Sequence, residues 1–155
     1  MESKREFPER PIVGVGAVVV KGDQIVLIKR GKDPRKGEWS LPGGGVELAE
    51  TTSDAVEREI KEETGLEVDL AGVIDVIDYI EHNEDGAVSF HYVLIDYLAY
   101  CHSGKLTAGS DADDVCLVSF DDALTLPLWD ETKRIIRAAQ GVASQGKITK
   151  ASAKT

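Results

Sequence analysis

The sequence predicts an α/β fold: a single domain built on one mixed β-sheet, with helices packed on both faces. Three observations carry this. Runs of β-branched residues outnumber helical segments. They do not alternate with helices as a doubly wound sheet requires. And helical signals are concentrated in two stretches, 51–65 and 127–140. At 155 residues the chain is long enough for one domain with a real core and too short for two ordinary ones.

Taken in order, "IVGVGAVVV" (12–20) and "QIVLIK" (24–29) are β-branched runs joined by "KGD", the pattern of a hairpin. The stretch 30–45, "RGKDPRKGEWSLPGGG", is punctuated by Gly and Pro throughout and reads as a long shaped loop. A helix follows over 51–65. Thr51 with Asp54 three residues on fits a capping box, Ser53 is an alternative cap, and Gly65 suits a left-handed stop. The stretches 71–80 and 88–100 read as long strands around the turn "EHNEDGA". "VCLVSF" (115–120) is a further strand, followed by a short helical piece at "DDALTL". In "PLWDETKRIIRAAQ" (127–140), Leu128, Ile135, Ile136 and Ala139 share a face and Pro127 suits a first-turn position. The domain is therefore assigned to 1–140. Residues 141–155, with three Lys, no acid and small polar residues, are expected to form a flexible tail.

Composition narrows the function classes. With 18 basic and 28 acidic residues the formal net charge is −10, which opposes binding to a nucleic-acid backbone. The longest apolar run, Val15 to Val20, is far too short to span a bilayer, and "MESKREFPER" lacks the apolar core of a secretory signal. A cytoplasmic protein is expected, free of nucleic acid and membrane. Cys101 and Cys116 form no C-x-x-C pair and read as reduced, largely buried thiols. His82, His91 and His102 share no ligand spacing and read as surface or strand residues.

The charge is uneven. Residues 44–66 hold seven acids (Glu47, Glu50, Asp54, Glu57, Glu59, Glu62, Glu63) against Arg58 and Lys61, a net of −5 in one short segment. On a helix advancing about 100° per residue, Glu59, Glu62 and Glu63 fall on one narrow arc with Ala55, beside the apolar stripe of Val56 and Ile60. Glu57 and Lys61 lie opposite, spaced as a solvent-facing i,i+4 pair. Carboxylates flanking a buried stripe repel one another more strongly than on an open surface, and a divalent cation resolves that conflict. Hard carboxylate oxygens suit Mg²⁺ or Mn²⁺. Just upstream, "LPGGGVE" brings backbone N–H groups that can approach an anion closely at Gly43 and Gly44, and a further carboxylate at Glu47.

These pieces come in a fixed order: Gly44, five residues, Glu50, seven residues, Arg58-Glu59-Ile60, Lys61, Glu62-Glu63, Thr64, Gly65-Leu66. The pattern G-x5-E-x7-R-E-(apolar)-x-E-E-x-G-(apolar) is matched without a mismatch, and it resembles the Nudix hydrolase box. The flanking "GAVVVKGDQIVLIKRG", "GEWSLPGGGVE" and "DDVCLVSFDDALTL" also look like the family's layout, so the resemblance covers residues 10–137. It implies an α/β/α sandwich around a mixed sheet and a magnesium-dependent hydrolase. The substrate implied is a small nucleotide, a nucleoside diphosphate linked to another moiety.

The resemblance also implies site roles. Glu59, Glu62 and Glu63 match the metal-binding acids, with Glu47 a further ligand and Glu59 and Glu62 carrying the catalysis. Arg58 would orient the group, Glu50 would tie helix to loop, and Gly44 and Gly65 are structural. Relatives place the base either on a box glutamate or in a later loop. Here that loop is "GSDADDV", with Asp114 the candidate and Asp113 close behind. Arg30 and Arg35, with Lys29, could contact phosphates from the 30–45 loop, and Trp39 reads as packing rather than stacking on a base. "RPIVGVGAVVV" and "HYVLIDYLAY" look more like ADP-ribose-type relatives, although the chain has no proline between Pro42 and Pro127. A nucleoside triphosphate pyrophosphohydrolase, including one acting on oxidised deoxynucleotides, and a catalytically inactive nucleotide-sensing module are the alternatives. Relatives of this kind are often homodimers, and the 12–20 strand with the 30–45 loop could supply the contact.

Overall fold

A computed structural model describes residues 5–109 and 112–153, with side chains through residue 144. Ten elements follow in chain order: β1 (Ile12–Lys21), β2 (Gln24–Arg30), β3 (Trp39–Ser40), β4 (Gly43–Gly45), α1 (Thr52–Thr64), β5 (Leu66–His82), β6 (Val88–Gly104), β7 (Ala112–Ser119), α2 (Phe120–Ala123) and α3 (Asp130–Ala153). They form one seven-stranded sheet in the order β3-β2-β1-β6-β5, with β4 also beside β1 and β7 beside β2. The sheet is mixed because β1 runs parallel to β6, from Ile12↔Tyr92 to Val20↔Tyr100, while the other pairs are antiparallel.

β1 shows why its apolar run is unbroken. Val15, Ala17 and Val19 face a core completed by Val26 and by Ala55, Val56 and Ile60 of α1. Val18 and Val20 face the opposite core, with Ile25, Leu27 and α3's Ile135, Ile136 and Ala139. A strand covered on both faces needs apolar residues at every position, whereas one with a wet face alternates. Helices therefore do cover both faces, α1 on one and α2 with α3 on the other. Among the described residues no helix is long and apolar enough to cross a membrane. Both cysteines are free thiols, each half-buried.

Several boundaries differ from the sequence reading. The 30–45 segment contains two short strands, β3 and β4, which pair with β2 and β1. β5 begins at Leu66, directly after the helix stop, because "LEVDL" already alternates buried Leu66 and Val68 with exposed Glu67 and Asp69. Pro127 precedes α3 instead of entering its first turn. The helix runs to Ala153 with Ala143 buried against the body of the domain, so no helix end marks the boundary drawn at 140. β1 lies inside the sheet, with β6 on one side and β2 and β4 on the other, and so offers no open edge to a second copy. Of the dimer contact drawn from sequence, only the 30–45 loop remains.

One buried charge stands out. Asp96 on β6 is only 6% exposed and lies beside Gly16, where a Cβ would come within 2.7 Å of its Oδ1. Across the sheet it faces Asp75, whose carboxylate accepts a 2.7 Å hydrogen bond from Arg134 Nη1. Burial above all, and the Asp75 charge next, push the Asp96 carboxyl up from 3.8 to about 7, with Arg134 opposing. A carboxyl whose pKa is raised by folding holds a proton in the native chain that the unfolded chain has released. Stability therefore falls as pH rises from about 4 to about 7 and levels off above. Asp96→Asn is expected to flatten that decline, measured as the melting temperature of both proteins across this range.

Candidate active site on the face of α1

α1 starts and stops as its sequence dictates. Thr51 is the N-cap, its Oγ1 accepting from the Asp54 N–H at 3.1 Å, and Gly65 ends the helix with φ +75°. Val56 and Ile60 are fully buried. The expected Glu57–Lys61 pair gives way to a different partner: Lys61 Nζ lies 2.7 Å from Glu67 Oε1 at the start of β5. Lysine's long stem reaches the carboxylate that the early start of β5 brings to the same surface.

The acids converge on the seam between α1 and β4, and Arg58 organises them. Its Nε and Nη2 donate to the two carboxylate oxygens of Glu50 at 2.7 and 2.9 Å, a bidentate pairing across eight residues. Its Nη1 donates to Glu59 Oε1 at 2.8 Å and Glu62 Oε2 at 3.2 Å, and lies 3.9 Å from Glu47. Nη2 also donates to the Gly45 carbonyl at 3.1 Å, tying the helix to the strand. Glu63 turns the other way and is buried, its Oε2 accepting from the Gly43 N–H at 3.3 Å. A Cβ at Gly44 would overlap the Glu59 carboxylate, and one at Gly43 would overlap the Val15 carbonyl. The glycines thus admit the acids and the strand, and the Gly43 N–H is given to Glu63.

Exposure separates the acids. Glu59 is 14% exposed and held, while Glu62 at 57% and Glu47 at 71% open to solvent. Among the described residues, no three His, Cys, Asp or Glu side chains form a metal cage as they stand. Glu59 and Glu62 are turned to the Arg58 guanidinium instead. The donor set nevertheless fits a hard divalent cation: Glu59, Glu62, Glu63 and Glu47 are all oxygen donors ringing one seam.

Arg58 also holds the Glu50 carboxyl down, from 4.5 to about 2, helped by the Glu47 N–H. A pKa depressed by folding contributes stability above the unfolded value that is lost as pH falls toward the folded one. The Tm difference between wild type and Glu50→Gln is therefore expected to be full above about pH 5 and to shrink steadily as the pH is taken down to about 2.

Other predicted residues are placed less simply. In β7, Leu117 packs on the α1 side and Cys116 and Val118 on the α3 side. Register is unbroken from Ser119 to Asp114, so Asp114 shares the face of Cys116, opposite α1 and the box acids. The structure therefore does not bring Asp114 together with the box acids. Asp113 is the extra residue where the β2–β7 register shifts.

Arg30 remains near the acids. Its Nε donates to the Pro34 carbonyl at 2.6 Å, and its pKa is lowered by burial first and by the Arg5 charge next, with Glu63 opposing. Arg35 is elsewhere: its guanidinium carbon lies 5.5 Å from the Trp129 ring centroid and 5.8 Å from that of Tyr79, and Nη1 pairs with Glu38 at 2.9 Å. Trp39 packs into the α3-side core, as its sequence reading expects.

Sequence reasoning missed Arg5, whose Nε donates to the Tyr92 hydroxyl at 3.0 Å, and Trp129, which meets Tyr79 edge-on at 5.1 Å. It also missed Gly109. The Gly109 N–H donates to the Glu63 carbonyl at 3.0 Å, and a Cβ there would overlap the Glu62 carbonyl, so the loop clamps the end of α1. A lone glycine in "LTAGS" was its only signal.

With this geometry the chain can be set beside known proteins. The NUDIX domain model matches residues 10–139, and the chain belongs to that family. It is 38% identical over 117 residues to a Methanocaldococcus jannaschii protein named ADP-ribose pyrophosphatase, covering 76% of this chain and 65% of that protein. A crystal structure of a MutT NUDIX hydrolase from Burkholderia pseudomallei superposes with a TM-score of 0.72 at 36% identity, covering 84% of this chain and 98% of that one. The NUDIX domain of Shewanella oneidensis NrtR, solved with ADP ribose, shares the fold at a TM-score of 0.70 and 20% identity, covering 87% of this chain and 90% of that one.

Proposed function

We propose that this chain is a divalent-metal-dependent hydrolase that cleaves the diphosphate of a nucleoside diphosphate linked to another moiety, with ADP-ribose the favoured substrate. The observation that carries the reading is the Arg58 hub, which gathers Glu50, Glu59 and Glu62 onto the glycine strand. A solvated acidic helix has no use for one arginine holding three carboxylates against a backbone without side chains. The resemblance to the archaeal ADP-ribose pyrophosphatase supports the choice of substrate.

The metal, Mg²⁺ or Mn²⁺, would be held by Glu59, Glu62 and Glu63 with Glu47 alongside, and would supply neutralisation of the diphosphate and acidification of the attacking water. The protein's own groups account for the rest. Glu62, the most exposed of the three box acids, accepts the proton as water attacks one phosphorus. The bond from that phosphorus to the bridging oxygen breaks, giving AMP and ribose 5-phosphate from ADP-ribose. Arg58 holds Glu59 and Glu62 in place, and Arg30, beside Glu63, faces the phosphate charge. With Asp114 on the far face, the base falls to a box acid.

The test is a substrate panel with Mg²⁺: ADP-ribose, other sugar nucleotides, dinucleotides, and normal and oxidised triphosphates, with products identified by chromatography. AMP with ribose 5-phosphate supports the reading. Pyrophosphate released from triphosphates alone would overturn the substrate choice, and no turnover on any compound would overturn the activity.

A further inference from the structure

We infer that Gly109 is a positioning residue for the metal acids of the proposed reaction: the segment 105–109, which follows β6, fixes the last turn of α1 and with it Glu62 and Glu63. The inference rests on the metal-dependent hydrolase reading for what those acids hold.

A helix leaves its last carbonyls without partners of its own. In α1 this segment takes two of them. The Thr107 N–H donates to the Thr64 carbonyl at 2.9 Å, and the Gly109 N–H donates to the Glu63 carbonyl at 3.0 Å. Glu63 is therefore held at both ends, because its Oε2 accepts from the Gly43 N–H of β4. One acid thus joins the glycine strand, the helix and the segment after β6. Thr64, fully buried, closes the same turn from within: its Oγ1 donates to the Ile60 carbonyl at 2.6 Å and accepts from the Leu66 N–H at 3.2 Å.

Only glycine fits where the two backbones meet. A Cβ on Gly109 would overlap the Glu62 carbonyl and come within 3.1 Å of the Glu63 Cα. A Cβ on Gly104, at the end of β6, would overlap the Gly65 carbonyl that follows α1. The atoms met are backbone, which cannot rotate aside as a side chain can. Alanine at 109 must displace either the segment or the turn that carries both acids. A displacement of about 1 Å costs about 100-fold in rate, and loss of an outer support of a metal ligand costs about 10–100-fold in metal affinity. The division of labour follows. Arg58 orients the Glu59 and Glu62 carboxylates, whereas Gly109 fixes the backbone from which Glu62 and Glu63 project.

The experiment uses the full chain. Mn²⁺ affinity is measured by titration calorimetry without nucleotide, and kcat and KM are measured on the nucleotide hydrolysed. Gly109→Ala is expected to weaken Mn²⁺ binding about tenfold and to lower kcat at least about tenfold, with KM within about threefold. Ala139→Gly is the comparator. It loosens α3 in the core on the opposite face of the sheet, so it lowers Tm while keeping wild-type Mn²⁺ affinity and kcat. Amide hydrogen exchange in the wild type gives a reading that does not depend on the variant folding. Saturating Mg²⁺ is expected to slow exchange at Thr107 and Gly109 about tenfold, because coupling between the metal and the segment is reciprocal. Wild-type Mn²⁺ affinity in Gly109→Ala, an equal loss of affinity in Ala139→Gly, or exchange at both amides indifferent to Mg²⁺ overturns the positioning role. Mn²⁺ binding that depends on Gly109 in a protein that hydrolyses no nucleotide overturns the hydrolase reading alone. A wild type that binds no divalent cation overturns both.

Discussion

Arg58→Ala is expected to lower kcat about 100-fold and the melting temperature by about 6–12 °C. The first figure follows from the sensitivity of catalysis to displacements of about 1 Å. The side chain donates five hydrogen bonds, four to carboxylates and one to the Gly45 carbonyl. Without it Glu50 and Glu59, whose side chains are 15% and 14% exposed, lose the cation they share. Charge-assisted hydrogen bonds contribute about 1.5–3 kcal/mol each, but they do not sum here, because Arg58 is a quarter exposed and Glu62 largely so. A net loss of about 3 kcal/mol is the reasonable scale, and at about 2–4 °C per kcal/mol this gives the melting shift. Arg58→Lys is not expected to rescue, since an ammonium cannot pair bidentately with Glu50 while reaching Glu59. Calorimetry and steady-state kinetics on the three proteins check both halves. A melting loss without a kinetic loss would make Arg58 purely structural.

Gly44→Ala is expected to reduce kcat about 100-fold by a different route, again through displacement of a reacting group. The added methyl takes the space of the Glu59 carboxylate, which must rotate away from both Arg58 and the seam. The fold has less to lose, because β4 is a three-residue strand and Gly44 retains its pairing to Val15. Gly45→Ala is the control: nothing lies within 4 Å of its Cβ, so a much smaller kinetic effect is expected. Equal effects at both positions would mean that strand flexibility, not the position of Glu59, limits turnover.

Much of this was legible in the sequence for a local reason. The box acids, the Thr51 cap and the Gly65 stop lie within one helix, where a spacing of three or four residues determines which side chains share a face. The covered sheet was legible too, since a β1 with one face in water would alternate polar and apolar residues, and its run from Val15 to Val20 does not. The failures are non-local. The face on which Asp114 lies was not legible, because a single residue along a strand decides between two opposite faces, and no spacing to a distant helix reveals which. Arg5, Arg35, Tyr79, Tyr92 and Trp129 come from four separate parts of the chain and meet only when the β5–β6 hairpin, the loop before β3 and the start of α3 close on one another. β3 and β4 were hidden in a loop because strands of two and three residues leave no alternation to read.

The central claim is that the carboxylates around Arg58 perform metal-dependent hydrolysis, and one comparison tests it most directly. The rate of ADP-ribose cleavage at saturating Mg²⁺ should be measured for wild type and for Glu62→Gln, which keeps the size and one acceptor oxygen while removing the charge and the base. The account predicts a fall of at least about 100-fold, in the range lost with a general base, and no turnover in wild type when Mg²⁺ is chelated. Glu62→Gln turning over at the wild-type rate, or cleavage persisting without a divalent cation, would contradict it.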